Sequence, residues 1–494
     1  MADALEQALQ DFFGWSSFRP GQRPVIEAML AGQDCLAVLP TGAGKSLCYQ
    51  LPALVRGGLV LVISPLVALM EDQVQHLQRR GIAAACLHRG LDPARRRDLL
   101  QRVRSNRLRL LYLAPERLQV EATRQLLEEL HGEGKLVGLA IDEAHCISAW
   151  GHDFRPDYRR LGQLRRLCPG VPVVALSATA APRVRADLIR MLELRRPLIQ
   201  VRSARRDNLS YGMRRRPLDP LPQVLEALEA ARGAVLIYAR TRRSVESWAK
   251  RLGEAGVEAI AYHAGMDPES RALALTHFQE HRSPVLVATV AFGMGVDRPD
   301  VGLVLHLDLP ASAEGYLQES GRAGRDGLPA RCLVLFDPED RTSLAWAIRS
   351  TAAESGDPQD KLRSELAQQQ LRRMEAVAEG SGCREQALLL AVGELVPPCG
   401  RCDRCQGRLH WRDWSPEASQ VLEALDQRAG VDLRNLGEDL AKTDAADVDQ
   451  WRWLARRLVQ EDLISESDDG SQRLWLKPAG RRFLRQPWTL RLAA

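Results

Sequence analysis

The chain has 494 residues, the length of three or four ordinary domains. Hydrophobic residues make up 45% and charged residues 27% of it, which excludes wholly disordered and collagen-like chains. The net charge of +5 permits an anionic partner without requiring one. The longest apolar stretches, such as residues 59–69, are far shorter than the roughly 20 residues that cross a bilayer, so we expect no membrane partner.

The first 15 residues mix acidic with apolar positions and lack the basic and apolar regions of a signal peptide. They predict an amphipathic helix, and a protein that stays in the cytosol. Six of the ten cysteines are scattered through predicted strands and helices, where we expect reduced, buried thiols. These six are Cys35, Cys48, Cys86, Cys146, Cys168 and Cys332.

Two series of predicted strands follow. From residue 36 to residue 201, apolar runs alternate with amphipathic stretches; the runs are LAVL, LVLVISP, LRLLYLAP, LVGLAIDEAH, VPVVALSAT and PLIQVR. After an arginine-rich connection at 202–220 the pattern restarts with AVLIYAR, VEAIAYH, PVLVATV, VGLVLHLDLP and ARCLVLFDP. Apolar strands separated by helices predict a parallel sheet covered on both faces. The fold class is therefore α/β, with two parallel-sheet lobes in tandem.

A phosphate-binding loop is predicted after the first strand, in the segment AVLPTGAGKS. Gly42 and Gly44 let the backbone approach phosphates, Lys45 reaches the β and γ phosphates, and the Ser46 hydroxyl is suited to bind Mg²⁺. Position 39 is Leu, where the strict GxxxxGK[ST] pattern has Gly. The strand-loop-helix context nevertheless favours a nucleotide site.

A second acidic motif, DEAH, ends the predicted strand LVGLAID about a hundred residues later. A carboxylate at the carboxyl end of a strand, beside a phosphate loop, is suited to hold Mg²⁺ and water. We expect Asp142 to bind the metal ion and Glu143 to polarise the attacking water. Together the two motifs predict a nucleoside triphosphatase.

The second lobe contains the segment QESGRAGRDG, in which Arg322 and Arg325 are three residues apart. They share one face if the segment is helical. Two arginines of the second lobe are suited to close on a γ phosphate held by the first, so that hydrolysis opens and closes the cleft. We expect both to be catalytic.

Helices are predicted from 343 to 382, and four cysteines follow with the spacing C-x15-C-x2-C-x2-C: Cys383, Cys399, Cys402 and Cys405. Four thiolates suit a tetrahedral Zn²⁺ ion. The two-residue spacing is also typical of iron–sulfur ligation, so that alternative stays open. With four protein ligands, a structural role is expected.

The last part of the chain predicts three helices, at 416–428, 435–442 and 446–460, and then a hairpin that turns at Asp468-Asp469-Gly470. This order favours a winged-helix domain. Residues 401–494 carry 16 basic and 16 acidic side chains, so any DNA contact there depends on local arginines. Two groups qualify: Arg452, Arg456 and Arg457, and then Arg481, Arg482 and Arg485.

Motif order along residues 12–405 resembles superfamily 2 helicases and, specifically, the RecQ DNA helicases. The shared segments are PTGAGKS, SPLVALMEDQV, APERL, DEAH, SAT, VATVAFGMGVDRPDV and QESGRAGRDG. FGWSSFRPGQ, AWGHDFRPDYRRL and the cysteine cluster resemble RecQ proteins rather than helicases in general. The hairpin tip has no aromatic residue, so it does not match RecQ proteins that separate strands with an aromatic wing.

The resemblance implies RecA-like lobes and a role for each motif residue. Nucleotide binding falls to Trp15, Arg19, Gln22, Thr41, Gly42, Gly44, Lys45 and Ser46, with Trp15 and Arg19 at the adenine and Gln22 at its edge. Catalysis falls to Lys45, Asp142, Glu143, Gln318, Arg322 and Arg325, with Mg²⁺ on Ser46 and Asp142. DNA binding falls to Ser64, Trp150, His152, Phe154, Arg155 and Thr289, and coupling to His145, Ser177 and Thr179. RecQ proteins carry zinc on a cluster like Cys383, Cys399, Cys402 and Cys405, with one cysteine on a helix and three on a loop.

The leading hypothesis is an ATP-dependent 3′→5′ DNA helicase of recombination and repair, with ATP, Mg²⁺ and Zn²⁺ as cofactors. We expect domains at 1–205, 206–342, 343–408 and 409–494. The expected partners are single-stranded and forked or tailed duplex DNA and a single-stranded DNA-binding protein. A monomer in the bacterial cytoplasm, associated with the nucleoid, is expected. The alternatives are a structure-specific DNA-binding ATPase with weak unwinding, and an RNA-remodelling helicase.

Overall fold

The computed structural model describes the chain except for residues 1, 149–154, 218, 291–297, 338, 356–357, 408–410, 443–447, 468–470 and 494. The N-terminal segment forms helix α1 (Ala2–Phe13), as predicted. Leu5, Leu9 and Phe13 are buried at four-residue spacing, so one apolar stripe fixes this helix on the first lobe. None of the described helices is both long and apolar enough to cross a membrane.

The first lobe is a seven-stranded parallel sheet with the strand order β3-β4-β2-β5-β6-β1-β7. Its strands are β1 (Cys35–Val38), β2 (Leu59–Ile63), β3 (Ala84–Leu87), β4 (Leu110–Leu113), β5 (Leu136–Ile141), β6 (Val173–Ser177) and β7 (Leu198–Val201). Its further helices are α2 (Gln22–Leu30), α3 (Leu47–Arg56), α4 (Val67–Arg79), α5 (Pro93–Arg104), α6 (Glu121–Gly132), α7 (Leu164–Leu167) and α8 (Pro182–Met191). Separate apolar clusters cover the two faces of the sheet, which confirms the predicted layering.

The second lobe is a six-stranded parallel sheet with the strand order β10-β11-β9-β12-β13-β8. Its strands are β8 (Leu209–Arg215), β9 (Ala234–Tyr238), β10 (Ala259–Tyr262), β11 (Val285–Ala288), β12 (Val301–His306) and β13 (Ala330–Phe336). Its helices are α9 (Leu221–Glu229), α10 (Arg242–Glu254), α11 (Pro268–Glu280) and α12 (Ala313–Ser320).

Two strands were not predicted, one in each lobe. The β3 segment AACL has no β-branched residue, so its sequence carries little strand signal. The β8 strand lies inside the arginine-rich stretch that we interpreted as a connection. Leu209, Tyr211 and Met213 are buried and alternate with more exposed residues, as expected for an edge strand with one face on the core.

The helical region after the second lobe comprises α13 (Glu339–Ser355), α14 (Pro358–Glu379), α15 (Arg384–Ala391) and α16 (Asp403–Gln406). Leu371, Met374, Cys383 and Cys402 belong to the same apolar cluster as the strands of the second lobe. The helical region therefore extends the core of the second lobe instead of forming a separate one.

The C-terminal region has a core of its own, built around Trp414, Trp451 and Phe483. Its helices are α17 (Ser415–Gln427), α18 (Leu433–Ala441), α19 (Val448–Gln460) and α20 (Pro478–Arg485), and its strands are β14 (Trp411–Asp413), β15 (Val431–Asp432), β16 (Ile464–Glu466), β17 (Arg473–Leu476) and β18 (Arg491–Ala493). The strands form two antiparallel sheets, β14-β18 and β15-β17-β16. The predicted three helices and hairpin are present, with α20 and the β14-β18 pair in addition.

Candidate nucleotide site and metal centre

A cavity of about 820 Å³ lies between the two lobes. Most of its lining comes from the first lobe, including the phosphate-loop residues and the first two residues of DEAH. The second lobe contributes Pro299, Gln318, Arg322 and Arg325. A ligand in this cavity would therefore touch both lobes at once.

The predicted phosphate loop connects β1 to α3 at the carboxyl edge of the sheet. Gly42 and Gly44 have φ angles of 81° and 69°, which a residue with a side chain rarely adopts. The Lys45 ammonium donates to the carbonyl of Leu39 at 3.5 Å, which keeps it against the loop. Thr41, Gly42, Gly44, Lys45 and Ser46 all line the cavity.

One end of the cavity is formed by residues of the predicted adenine site. Trp15 is 43% exposed and stacks on Phe13, with a ring-centroid distance of 5.4 Å. Its indole also lies 5.5 Å from the Arg80 guanidinium, which helps to fix the ring. The Arg19 guanidinium donates to the carbonyl of Gly42, so this end of the cavity is tied to the phosphate loop.

Gln22, which is expected to read the edge of adenine, lines the cavity and also bonds the phosphate loop. Its amide nitrogen donates to the carbonyls of Ala43 and Gly44, at 2.9 and 3.0 Å. Its amide oxygen accepts the Arg19 backbone N–H at 2.8 Å. The side chain is 2% exposed, so here it holds the phosphate loop against α2.

Asp142 and Glu143 follow β5 and face Lys45 across the cavity. The pKa of Asp142 is raised to about 7, mainly by burial and also by the Glu143 carboxylate, while Lys45 opposes the shift. Glu143 has a φ of 45°, a strained conformation for a residue with a side chain. Two crowded carboxylates opposite one lysine suit a divalent cation, so the residues present fit Mg²⁺.

Behind the acidic pair, His145 joins DEAH to the SAT segment. Its Nδ1 lies 3.1 Å from the Ser177 hydroxyl and 3.3 Å from the Glu143 carboxylate. The Ser177 hydroxyl donates to the carbonyl of Thr179 at 2.6 Å. All three predicted coupling residues are buried, and they connect β5 to β6 behind the cavity.

The two predicted arginines lie on a loop and not on a helix, because α12 ends at Ser320. We call residues 321–327 the arginine loop. A Cβ atom at Gly42 would lie 3.5 Å from Arg325 Cγ, so Arg325 is against the phosphate loop. Gln318 Nε2 and Arg322 Nε are buried and bond no described residue. Such donors at a cavity wall fit a phosphate ligand.

The structure describes only three of the six predicted DNA contacts. Trp150, His152 and Phe154 lie outside the described residues. Arg155 donates to the carbonyl of Pro65 at 2.7 Å, which brings it next to Ser64. Ser64 and Thr289 are 1% and 8% exposed, and the Ser64 hydroxyl is buried.

An arginine cluster beside this region was missed by the sequence analysis. Arg117 follows β4, is 7% exposed, and has buried Nε and Nη2 atoms that bond no described residue. Burial lowers its pKa, as do Arg96 and Arg89. Arg117 belongs to the APERL segment, and the spacing of arginines along the sequence gives no sign that Arg89 and Arg96 approach it.

The four predicted metal ligands come together, with all four sulfur atoms within 4.8 Å of one another. The Cys383–Cys402 and Cys399–Cys405 sulfurs are 3.9 and 4.0 Å apart. Tetrahedral Zn²⁺ with Zn–S bonds of about 2.3 Å needs sulfurs nearly this close, whereas a cluster of several iron atoms needs more room. Cys383 caps α15, and Cys405 lies in the short α16 and not on a loop.

Backbone N–H groups stabilise the thiolate form of Cys383. Cys383 Sγ accepts from the N–H of Gln386 and of Cys399, at 3.5 and 3.2 Å. Burial opposes the thiolate, but these hydrogen bonds leave the pKa of Cys383 below its ordinary value. The residues present therefore fit a zinc ion.

The basic face of α19 is not on the surface, which corrects the expectation for Arg452, Arg456 and Arg457. Arg452 donates to Glu339 at 2.6 Å. Arg456 is 4% exposed and lies 3.8 Å from Glu375 and 3.9 Å from Glu466. The face packs on α13 and α14, so it is occupied by the helical region.

Comparison with known proteins gives three adjacent family matches. The DEAD/DEAH box helicase family matches residues 19–188, and the helicase conserved C-terminal domain matches residues 218–327. The RecQ zinc-binding family matches residues 338–406, which include the four cysteines.

Relatives match over most of the chain. The ATP-dependent DNA helicase RecQ of Haemophilus influenzae is 40% identical over 84% of this chain, and that of Pasteurella multocida is 39% identical over 86%. The aligned part spans 66% of each of those two proteins. The probable ATP-dependent DNA helicase RecS of Bacillus subtilis is 42% identical over 68% of this chain and 67% of its own length.

A solved structure shares the fold. The Mycobacterium smegmatis helicase Lhr bound to ssDNA and AMP-PNP superposes with a TM-score of 0.55 at 18% identity. The superposition covers 97% of this chain and 61% of that one. At this identity the likeness concerns the fold alone, and it agrees with two RecA-like lobes.

Proposed function

The chain belongs to the RecQ family of helicases, and from this premise we propose that it hydrolyses ATP to move 3′→5′ along single-stranded DNA and to unwind duplex DNA in recombination and repair. The observation that supports the motor is the cavity lined by Lys45 and Asp142 from one lobe and Arg325 from the other. Because the γ phosphate would be held by both lobes, its hydrolysis would release one from the other.

In this proposal each residue of the cavity has a separate role in hydrolysis. Lys45 and the backbone of Gly42 and Gly44 hold the phosphates, and Arg322 and Arg325 neutralise charge that develops on the γ phosphate. Glu143 accepts a proton from the attacking water. Ser46 and Asp142 would hold Mg²⁺, which supplies charge neutralisation on the phosphate oxygens. Gln318 would orient the reacting groups beside the arginine loop.

Adenine would lie against the exposed face of Trp15, with the Arg19 guanidinium beside it. Gln22 remains the proposed contact with the edge of adenine, and its amide also supports the phosphate loop. Thr41, in the phosphate loop, is close to Gly321 of the second lobe. A Cβ atom added to Gly321 would lie 3.0 Å from Thr41 Cβ. That contact would carry a nucleotide-dependent shift from one lobe to the other.

Single-stranded DNA would pass over the carboxyl edge of the first sheet. Ser64, Trp150, His152, Phe154, Arg155 and Thr289 remain the proposed contacts, and Arg117 joins them with Arg89 and Arg96. Aromatic rings stack on bases while guanidinium groups pair with phosphates. His145, Ser177 and Thr179 connect this edge to the acidic pair, so they would couple DNA binding to hydrolysis.

The four cysteines would hold a structural Zn²⁺ ion that fixes the helical region on the second lobe. The proposed domains are 1–205, 206–342, 343–408 and 409–494, the last with a winged-helix fold. We propose a cytoplasmic, nucleoid-associated monomer that acts on single-stranded and forked or tailed duplex DNA and contacts a single-stranded DNA-binding protein.

The test is ATP-dependent unwinding of two labelled DNA duplexes, one with a 3′ tail and one with a 5′ tail. We expect only the 3′-tailed duplex to open, and Lys45→Ala to abolish opening. ATP hydrolysis that ignores added single-stranded DNA would contradict the motor. Equal stimulation by RNA and DNA oligonucleotides would favour the RNA-remodelling alternative.

The docked face of α19 favours a second candidate, a structure-specific DNA-binding ATPase with little unwinding. With Arg456 buried against Glu375 and Glu466, the C-terminal region offers duplex DNA fewer cations than its sequence suggests. This candidate predicts DNA-stimulated hydrolysis without opening of either duplex. It also predicts that Lys45→Ala retains binding to forked DNA.

A further inference from the structure

The segment that joins the lobes, residues 202–208, runs directly past the arginine loop; we call it the interlobe linker. Its Arg206 side chain points at the loop. Arg206 Nη2 donates to the carbonyl of Gly324 at 2.5 Å and lies 3.4 Å from the carbonyl of Ala323. These two carbonyls lie between Arg322 and Arg325. Arg206 therefore binds the part of the loop backbone that determines the direction of the Arg322 and Arg325 side chains.

Asn208 holds the same loop from a second direction. Its amide nitrogen donates to the carbonyls of Gly324 and Leu328, each at 2.8 Å, and its amide oxygen accepts from Arg206 Nε at 3.3 Å. The backbone N–H of Ala330 donates to the Asn208 carbonyl at 2.9 Å. The amide thus spans from the middle of the arginine loop to the residue that follows it.

Gly324 is required by this arrangement. Its φ is 55°, and a Cβ atom on it would lie 2.4 Å from Asn208 Nδ2. No side chain fits between the loop and the amide. The backbone of the loop and the side chain of Asn208 therefore determine each other's position.

The interlobe linker is in turn held by the cysteine-containing region. Arg401, between Cys399 and Cys402, donates to the carbonyls of Arg206 and Leu209, at 2.9 and 2.8 Å. On the other side, the Glu394 carboxylate accepts from the Ala204 N–H at 2.8 Å. The linker therefore has a fixed path, and this path allows two of its side chains to place a loop.

We propose that Arg206 and Asn208 are positioning residues for ATP hydrolysis, which hold the arginine loop where Arg322 and Arg325 reach the γ phosphate. The proposal rests on the proposed function of those two arginines. Neither positioning residue needs to touch the nucleotide. A displacement of about 1 Å in a reacting group costs on the order of 100-fold in rate, so a loosened loop lowers turnover more than binding.

Asn208→Ala is the decisive variant, because Arg206 itself approaches the phosphate loop: a Cβ atom at Gly42 would lie 4.0 Å from Arg206 Nη1. We expect its kcat for ATP to fall about 10- to 100-fold. The Kd for a non-hydrolysable ATP analogue, and that for single-stranded DNA, should stay within about twofold of wild type. Arg206→Lys keeps a cation but cannot bridge both carbonyls, and should show the same split.

A second measurement separates positioning from a general structural effect. In an Arg322→Ala/Arg325→Ala background, adding Asn208→Ala should lower the remaining kcat less than about twofold, since the loop then has no arginine left to place. Ser210→Ala, in the adjacent β8, is the matched control and should hydrolyse ATP like wild type. Thermal unfolding of every variant checks that the fold is retained.

A wild-type kcat in Asn208→Ala would overturn the proposal. So would an equal loss of kcat in the presence and absence of the two arginines, or a loss of nucleotide affinity that accounts for the whole effect. The proposed function fails separately, if Lys45→Ala and Arg325→Ala hydrolyse ATP like wild type. If those two variants are inactive while Asn208→Ala is normal, only the positioning role is wrong.

Discussion

The phenolic hydroxyl of Tyr158 donates a hydrogen bond to the backbone carbonyl of Asp142, over 3.1 Å. Tyr158 is fully buried and follows closely after Phe154 and Arg155, two proposed DNA contacts. Asp142 is the proposed Mg²⁺ ligand. One buried hydrogen bond therefore links the segment that would contact DNA to the acidic pair of the nucleotide cavity.

Replacing Tyr158 by Phe removes this bond and keeps the packed ring. We expect DNA-stimulated ATP turnover to fall about two- to tenfold, the effect of one net hydrogen bond of about 0.5–1.5 kcal/mol. Steady-state hydrolysis with and without single-stranded DNA measures it. Tyr112→Phe, at another buried tyrosine of the first lobe, should leave turnover unchanged. Equal turnover in the two variants would remove the proposed link.

Asp34 fixes the start of three strands in the first lobe. Its carboxylate accepts from the Val173 and Arg195 N–H groups, at 2.9 and 2.7 Å, and pairs with the buried Arg165 guanidinium. Asp34→Ala leaves a buried cation without its anion, which costs roughly 3–5 kcal/mol. We expect the thermal transition of the first lobe to move down by several degrees. An unchanged transition would show that Arg165 finds another partner.

Loss of the zinc site should destabilise the second lobe, since Cys383 and Cys402 belong to its apolar core. Cys402→Ser should carry about one zinc ion less per chain than wild type and unfold at lower temperature. Cys168→Ala, at a buried thiol of the first lobe away from the cluster, should retain its zinc. Metal analysis and thermal unfolding measure both effects. A visible charge-transfer band of iron in the purified protein would contradict the assignment of zinc.

Glu314, at the start of α12, predicts a pH dependence. Burial raises its pKa from 4.5 to about 7, although His145 and Arg373 oppose the shift. The folded state therefore holds this proton more tightly than the unfolded chain does. The resulting stability is present below about pH 4.5 and is lost as the pH rises through 7.

We expect Glu314→Gln to be more stable than wild type at pH 8, by about 3 kcal/mol, and equally stable near pH 4.5. Denaturant unfolding at several pH values measures the difference. Glu254→Gln, on the exposed side of α10, should not change with pH relative to wild type. A Glu314→Gln variant that gains no stability as the pH rises would show that the carboxylate is ionised at no cost.

Duplex DNA should bind the C-terminal region through α20. Arg481, Arg482 and Arg485 are exposed on that helix, whereas α19 is covered. Replacing the three by Ala should weaken duplex binding and reduce the slope of log K against log salt by about 2 to 3. Fluorescence anisotropy across a salt series measures the slope. Lys250→Ala, an exposed cation on α10, should leave it unchanged.

Much of the fold could be predicted because parallel strands buried on both faces are continuous apolar runs. The strands that were missed lie at sheet edges: β3 has no β-branched residue, and one face of β8 is only partly buried. Leu209, Tyr211 and Met213 alternate correctly, but the arginines around them resembled a connection. The pairing of β8 with its neighbour β13 is what identifies it as a strand.

Chemistry that depends on residues close in sequence was predictable. The phosphate loop, the acidic pair and the cysteine cluster each lie within or beside one loop, so spacing alone brings their ligands together. The sequence also determined the tandem lobes and the presence of a C-terminal helix-and-hairpin region.

Only the tertiary structure decided contacts between distant segments. The Gln22 amide donates to the phosphate loop, and Arg456 lies against Glu375 of the helical region. Asn208 donates to the carbonyl of Gly324, which is 116 residues away in sequence. The burial of a side chain and the partners of its hydrogen bonds depend on which surfaces meet in the folded protein. The same side chain can donate to DNA, to a nucleotide or to another part of the protein. The sequence therefore determined which groups are available, and the packing of the lobes determined which partner each group has.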